Sequence, residues 1–280
     1  MYQIIEILSG FVRIVKQAIC TSGTMISMAA DQYITWSSQS TYGIVAEGHA
    51  QAEQLERHMQ RILQIERFVR EVMGQVARPE LKLAHDFKRV DRVRRWAIVI
   101  AQQEGFADLN LVEAAALLHD IGLASVEHRR DHAHVGAERA TQFLTAHHLF
   151  LDADISTIAD AIRSHSALTG GGMLGTILRD ADMLDLFGAI GIMRACTSKY
   201  ALPEYDTHNV KGDTWALRAV DFTHRFTSGI GMGSYIVDQL NFQISCYDNL
   251  RTASAKAAAQ TLVAFMKAYL LQLEHEIVTN

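Results

Sequence analysis

Proline is nearly absent from this chain: its 280 residues contain only Pro79 and Pro203. The long intervening stretches are dominated by Ala, Leu, Gln, Glu and Arg, residues of high helix propensity. Breakers this sparse predict an all-α protein without a large sheet.

The apolar fraction of 49% is ample for a core. A net charge of −5 without a dense Lys/Arg block argues against nucleic acid as a partner. Three widely spaced cysteines, Cys20, Cys196 and Cys246, lack metal-finger spacing and cannot all pair, which fits a reducing cytoplasm. Near the N-terminus, charges interrupt the apolar runs at 4–8 and 11–15 well short of a membrane span. They predict an amphipathic helix lying on the body or on a second copy of the chain in preference to a membrane surface, so a homodimer is one of two expected arrangements and a membrane partner is not expected.

Residues 20–43, rich in Ser, Thr and Gly, read as a loop or broken helix. From about Val45 to Val76 the pattern is helical, because Leu55, Met59, Ile62, Ile65, Val69 and Val72 recur every three or four residues. Pro79 ends that helix and marks a boundary between an N-terminal helical extension, 1–78, and a larger domain, 79–280. The next helix buries Val90, Val93, Trp96, Ala97 and Ile100 and closes at Gly105; Asp108 then caps a helix through Leu109, Val112, Ala115 and Leu118.

That apolar helix runs into His119 and Asp120 and stops at Gly122. Imidazole and carboxylate are good ligands for Mn, Fe, Ni or Zn, and a carboxylate can bridge two ions. His85 lies upstream, His132 and His165 downstream, and Asp180, Asp182 and Asp185 follow on one run. Helices distant in sequence can bring these groups to one cavity.

In this order the residues resemble the HD-domain superfamily of metal-dependent phosphohydrolases, most closely its small standalone branch. The resemblance covers roughly 80–276. It implies an HD-domain helical bundle with an N-terminal helical extension. The implied activity is hydrolysis of a phosphate ester, from a nucleotide or another small phosphorylated metabolite, by water activated on a divalent ion. One or two ions are implied, drawn from Mn, Ni, Co, Fe and Zn, with Mg a further choice. His119, Asp120 and Asp182 would hold the first, with His85 as a fourth ligand. His132 and His165 would bind the second, bridged by Asp120, and Asp180 would orient a ligand or a water from behind. His132 is preferred to His134 because the small residue Gly136 follows it by four positions, as in the family.

Two positions depart from the family pattern. Arg89 occupies the place of the usual first histidine ligand, and Met183 stands where Arg or Lys is usual. Arg89 could clamp a substrate phosphate, and His85 could replace the missing ligand, bind phosphate or cap its helix. These departures motivate the alternative of a catalytically weakened ligand-binding or regulatory protein. Oxidative chemistry at a di-iron site is a third reading. Residues 199–213 read as a loop over the site, with Lys199, Tyr200, His208 and Lys211 as contact candidates. The C-terminal stretches are expected to be packing helices, the last with Leu262, Phe265, Met266, Tyr269, Leu270 and Leu273 on its apolar face.

Overall fold

Two aspartates start the helices that carry the chemistry. Asp86 Oδ1 accepts a hydrogen bond from Arg89 N at 3.0 Å and opens a helix over Phe87–Gln103. Asp108 Oδ1 accepts from Asn110 N at 3.0 Å and Leu111 N at 3.3 Å and opens Leu109–Leu118. Each satisfies backbone donors that a first helical turn leaves without partners. Between the helices Gly105 adopts φ 71°, the left-handed conformation that commonly follows a helix end.

The computed structural model describes residues 38–76, 85–167 and 170–278. Among these the chain is all-α, with ten α-helices, three short 3-10 segments and no strand beyond the single bridge Asp206–Asn209. The helices are α1 (Ser38–Gly74), α2 (Phe87–Gln103), α3 (Leu109–Leu118), α4 (His132–Ala146) and α5 (Asp152–Ser164). They continue with α6 (Gly172–Leu184), α7 (Gly188–Ser198), α8 (Ala219–Thr227), α9 (Ile236–Ser245) and α10 (Ala253–Val278). None of the described helices is long and apolar enough to cross a membrane.

The chain divides into two compact units, Met1–Arg57 and His58–Asn280. α1 begins at Ser38, within the stretch expected to be a loop or broken helix. The amphipathic helix expected near the N-terminus and the boundary at Pro79 lie outside the described residues. Within the second unit, the later part of α1 places Ile62, Ile65, Val69 and Val72 in the core.

Helix α3 is apolar on every side and is therefore buried on every side. Ala114 to Leu118 are fully buried, with α2, α5 and α6 packed around them. Truncating Leu117 to Ala there would cost about 2–5 kcal/mol, because a site enclosed on all sides cannot collapse around the cavity. α4 packs on α5, while α10 lies against α7 and α9. The buried stripe of α10 is Ala255, Ala259, Val263, Met266 and Leu270. The face expected from the sequence is corrected here: Phe265 and Tyr269 are 51% and 39% exposed. Small alanines let the helix approach closely, so it turns them inward and leaves the two rings outside.

Candidate metal centre

Three buried histidines are aimed by one local device. His119 at the end of α3 donates Nδ1–H to Ala116 O at 2.7 Å. His165 at the end of α5 donates to Ile162 O at 2.6 Å, and His132 at the start of α4 to Arg129 O at 2.5 Å. In each case the acceptor is the carbonyl three residues earlier at a helix end or tight turn, and those of Ile162 and Arg129 also accept the backbone N–H of the same histidine. The bond sets the tautomer, leaving Nε2 as a lone pair pointing inward, as metal-binding histidines require.

The lone pairs of His132 and His165 meet. Their Nε2 atoms are 3.1 Å apart, with Asp120 Oδ1 3.6 Å from that of His132. Atoms from Asp120, His132 and His165 all lie within 4.8 Å of one another, and all three residues are buried. Ligands about 2.1 Å from one ion stand about 3.0–3.4 Å from each other, so this spacing suits an ion. Burial lowers the proton affinity of His165 and of His132. Two neutral acceptors facing each other need a cation between them. The residues present fit a metal.

Two glycines allow this approach. A Cβ on Gly122 would lie 2.0 Å from His132 O and 2.6 Å from Gly136 N, so the turn after Asp120 touches the backbone of α4. That contact places His132 beside Asp120. His134 points elsewhere, exposed and paired with Glu138 at 3.3 Å, so His132 is the histidine that enters the centre.

The other side of Asp120 is different. Its Oδ2 accepts from His85 Nδ1 at 2.9 Å and, at shorter range, from Arg89 Nη1. Arg89 Nη2 donates in turn to Asp182 Oδ1, and Nη1 lies 2.9 Å from His119 Nε2. The guanidinium is therefore planted among His119, Asp120 and Asp182, the atoms expected to hold a first ion. Burial opposes its charge, but Asp120, Asp182 and Asp185 outweigh burial and raise its pKa. Burial lowers the proton affinity of His119 while Asp120 and Asp182 raise it, with a net upward pull. The guanidinium decides against protonation, because Arg89 can only donate and the contact requires a neutral His119 Nε2. Burial raises the Asp120 and Asp182 carboxyls, and Arg89 overcomes it to hold both well below the usual range.

Several expectations need correction in position. His85 precedes α2 and does not cap it, because Asp86 is the cap. Arg89, 2% exposed, is committed to internal carboxylates, so a clamp on substrate phosphate does not match its hydrogen bonds. Asp180 serves the start of α10: its Oδ2 accepts from Arg251 N at 3.0 Å, Thr252 N at 2.7 Å and Thr252 Oγ1 at 2.8 Å. Asp185 is buried and takes two bonds from Arg92, at 2.6 and 3.1 Å, and one from Arg194 at 2.8 Å.

A cavity of about 610 Å³ opens from His85, Arg89, His165 and Asp182. Arg129, Arg179, Arg194 and Lys199 make its walls basic, and Phe222, Phe226 and Phe242 line another part. These rings pack on one another with centroids 5.4–6.5 Å apart. Of the loop candidates, Lys199 reaches the cavity; Tyr200, His208 and Lys211 are not among its lining residues, and Lys211 pairs with Glu274 at 2.8 Å. The aromatic wall comes from α8 and α9, where sequence reasoning assigned no chemistry. Its one local signal is Phe222 and Phe226, four residues apart on a helix face.

A model of the HD domain matches residues 86–187. The uncharacterised protein YpgQ of Bacillus subtilis (strain 168) is 27% identical over 204 residues, covering 69% of this chain and 84% of YpgQ. The crystal structure of YpgQ in complex with ADP is similar with a TM-score of 0.54 at 24% identity, over 79% of this chain and 96% of that one. A predicted HD-superfamily hydrolase from an uncultured Thermotogales bacterium is similar with a TM-score of 0.52 at 27% identity, over 80% and 97% of the two chains.

Proposed function

This chain is an HD-domain protein, and we propose that it works as a metal-dependent phosphohydrolase on a small phosphate ester, with a nucleotide as substrate. One observation carries the reading: Asp120 Oδ1 and the Nε2 atoms of His132 and His165 converge beside a cavity with basic walls. The chemistry of two imidazoles and a carboxylate suits Mn, Ni, Co, Fe or Zn better than Mg. Such an ion supplies an acidified water and polarises a phosphoryl oxygen.

The chain's own groups do the rest. His132 and His165 present lone pairs in tautomers already set. Arg129 and Lys199 receive the phosphate charge at the basic wall. Asp120 and Asp182 stay ionised against Arg89, so neither protonates the leaving group. The phenyl rings offer an apolar seat for a base. That YpgQ has been crystallised with ADP favours a nucleotide over other phosphate esters.

Phosphate or pyrophosphate release from nucleoside mono-, di- and triphosphates, with Mn, Ni, Co or Mg added, tests the proposal. Metal-dependent turnover that vanishes in Asp120→Ala is expected. A second reading, a ligand-binding or regulatory protein, is favoured by Arg89 at the ligand position; nucleotide binding without any turnover would select it. We also take 79–280 as the hydrolase domain and 1–78 as an extension that pairs two copies. Sedimentation of the full chain at the monomer mass would remove the pairing.

A further inference from the structure

We infer that Arg89 is a resident cation standing in place of one metal ion, so that the centre binds a single ion on Asp120, His132 and His165. This rests on the metal dependence proposed above only in taking the centre to bind metal at all.

The two sides of Asp120 have the same architecture. On one, His132 Nε2 is 3.1 Å from His165 Nε2 and 3.6 Å from Asp120 Oδ1. On the other, His119 Nε2 is 3.2 Å from Asp120 Oδ2 and 3.6 Å from Asp182 Oδ1. Both spacings match the edges of a coordination polyhedron. The carboxylate between them is placed as a bridge, one oxygen to each side.

Only one side already contains a positive charge. Arg89 Nη1 contacts His119 Nε2 and Asp120 Oδ2, and Nη2 contacts Asp182 Oδ1. Every atom that would ligate an ion there instead receives an N–H. The guanidinium cannot give up its proton to make way. Nor is it free to swing: it is 2% exposed, its Nε lies 3.8 Å from Asp185 Oδ2, and Arg92 and Arg194 hold that carboxylate from other directions. A divalent ion on this side would have to displace a buried cation from two carboxylates. On the histidine side no cationic side chain contacts either Nε2 among the described residues, and two lone pairs face each other.

The test is a metal count on the full-length protein, stripped with chelator, dialysed against Mn(II) and analysed by elemental mass spectrometry. One ion per chain is expected. His132→Ala should bind none, while Asp182→Asn should keep its ion, because Asp182 faces Arg89. Arg89→His, which removes the resident cation and adds a ligand, should raise the count to two. Two ions in the unmodified protein, none in it, or one that survives His132→Ala and disappears in Asp182→Asn would overturn the inference. If Arg89→His fails to fold by circular dichroism, the other two variants decide alone. Absence of phosphate release would leave these counts untouched, so failure of the enzymatic reading is separable from failure of this one.

Discussion

The two oxygens of one carboxylate, Asp120, face environments of opposite completeness. Oδ2 accepts from His85 and Arg89 within a network that includes Asp182, and its charge is balanced by the chain itself. Oδ1 faces two imidazole lone pairs that nothing in the chain balances. The difference teaches where the fold obtains stability and where it reserves binding capacity. A satisfied buried network rigidifies, whereas convergent acceptors without donors are costly to bury and gain from a cation supplied from outside.

Removing the shared carboxylate should give the largest effect, because it breaks both sides together. Asp120→Ala leaves Arg89 and His85 without their common partner. Losing one member of a buried ion pair costs about 3–5 kcal/mol. A drop of that size in urea-unfolding free energy is expected, with loss of bound metal and of turnover. A drop below about 1 kcal/mol would mean that Arg89 readily finds other partners and that the balanced side is less committed than it looks.

Acid separates the two sides without mutation. Burial, set against Asp120, holds His85 down at about 4, and burial lowers His165 as well. The unfolded chain takes up these protons near pH 6.5 and the folded chain does not, so stability is full above that pH and declines toward pH 4. His85 contributes about 3 kcal/mol to the decline in metal-free protein, and His165 adds to it in the same direction. His85→Gln and His165→Gln should each remove one proton from the pH slope of the unfolding free energy. A slope unchanged by either substitution would show that the corresponding histidine is not held neutral.

Much of this centre was legible in the sequence, and the failures have physical causes. Asp86 and Asp108 start helices as their chemistry requires, and His119, Asp120, His132, His165 and Asp182 come together. Asp180 was misread although helix geometry contained the answer. Residues two apart on a helix point about 200° away from each other, so Asp180 and Asp182 cannot both face the centre. Asp182 and Asp185, three apart, do share a face, and both approach Arg89. The guanidinium was harder to place. Its position fixes only where the stem begins, and a long side chain at a ligand position can reach outward to substrate or inward to carboxylates. The aromatic wall was invisible for another reason: α8 and α9 meet the centre only through tertiary packing.

A gentler perturbation strikes the histidine side alone. A methyl group at Gly122 would collide with the backbone at His132 and Gly136, so Gly122→Ala must push α4 away from the turn. Overpacking of this kind costs about 1–3 kcal/mol. The expected result is that loss of stability with weakened metal affinity, while the Arg89 network on α2 and α6 stays intact. Equal metal affinity in the variant would show that the close approach of the two glycines is not what brings His132 to Asp120.

The smallest expected effect lies farthest from Asp120, at the aromatic part of the cavity. Phe226 lines it and is 47% exposed, whereas Phe222 is buried in the packing, so Phe226 can be truncated with little harm to the fold. If a base rests on this wall, Phe226→Ala removes one aromatic contact worth about 0.5–1.5 kcal/mol, a change of about 2–10-fold in KM for a nucleotide. The reacting centre is untouched, so kcat should hold. A phosphate ester without a ring gains nothing from Phe226, and its KM should stay constant; the ratio of the two substrates therefore isolates the base contact. Equal effects on both would mean that the ring shapes the cavity without seating a base. The nucleotide reading would then fall back to a small phosphate ester held by Arg129 and Lys199.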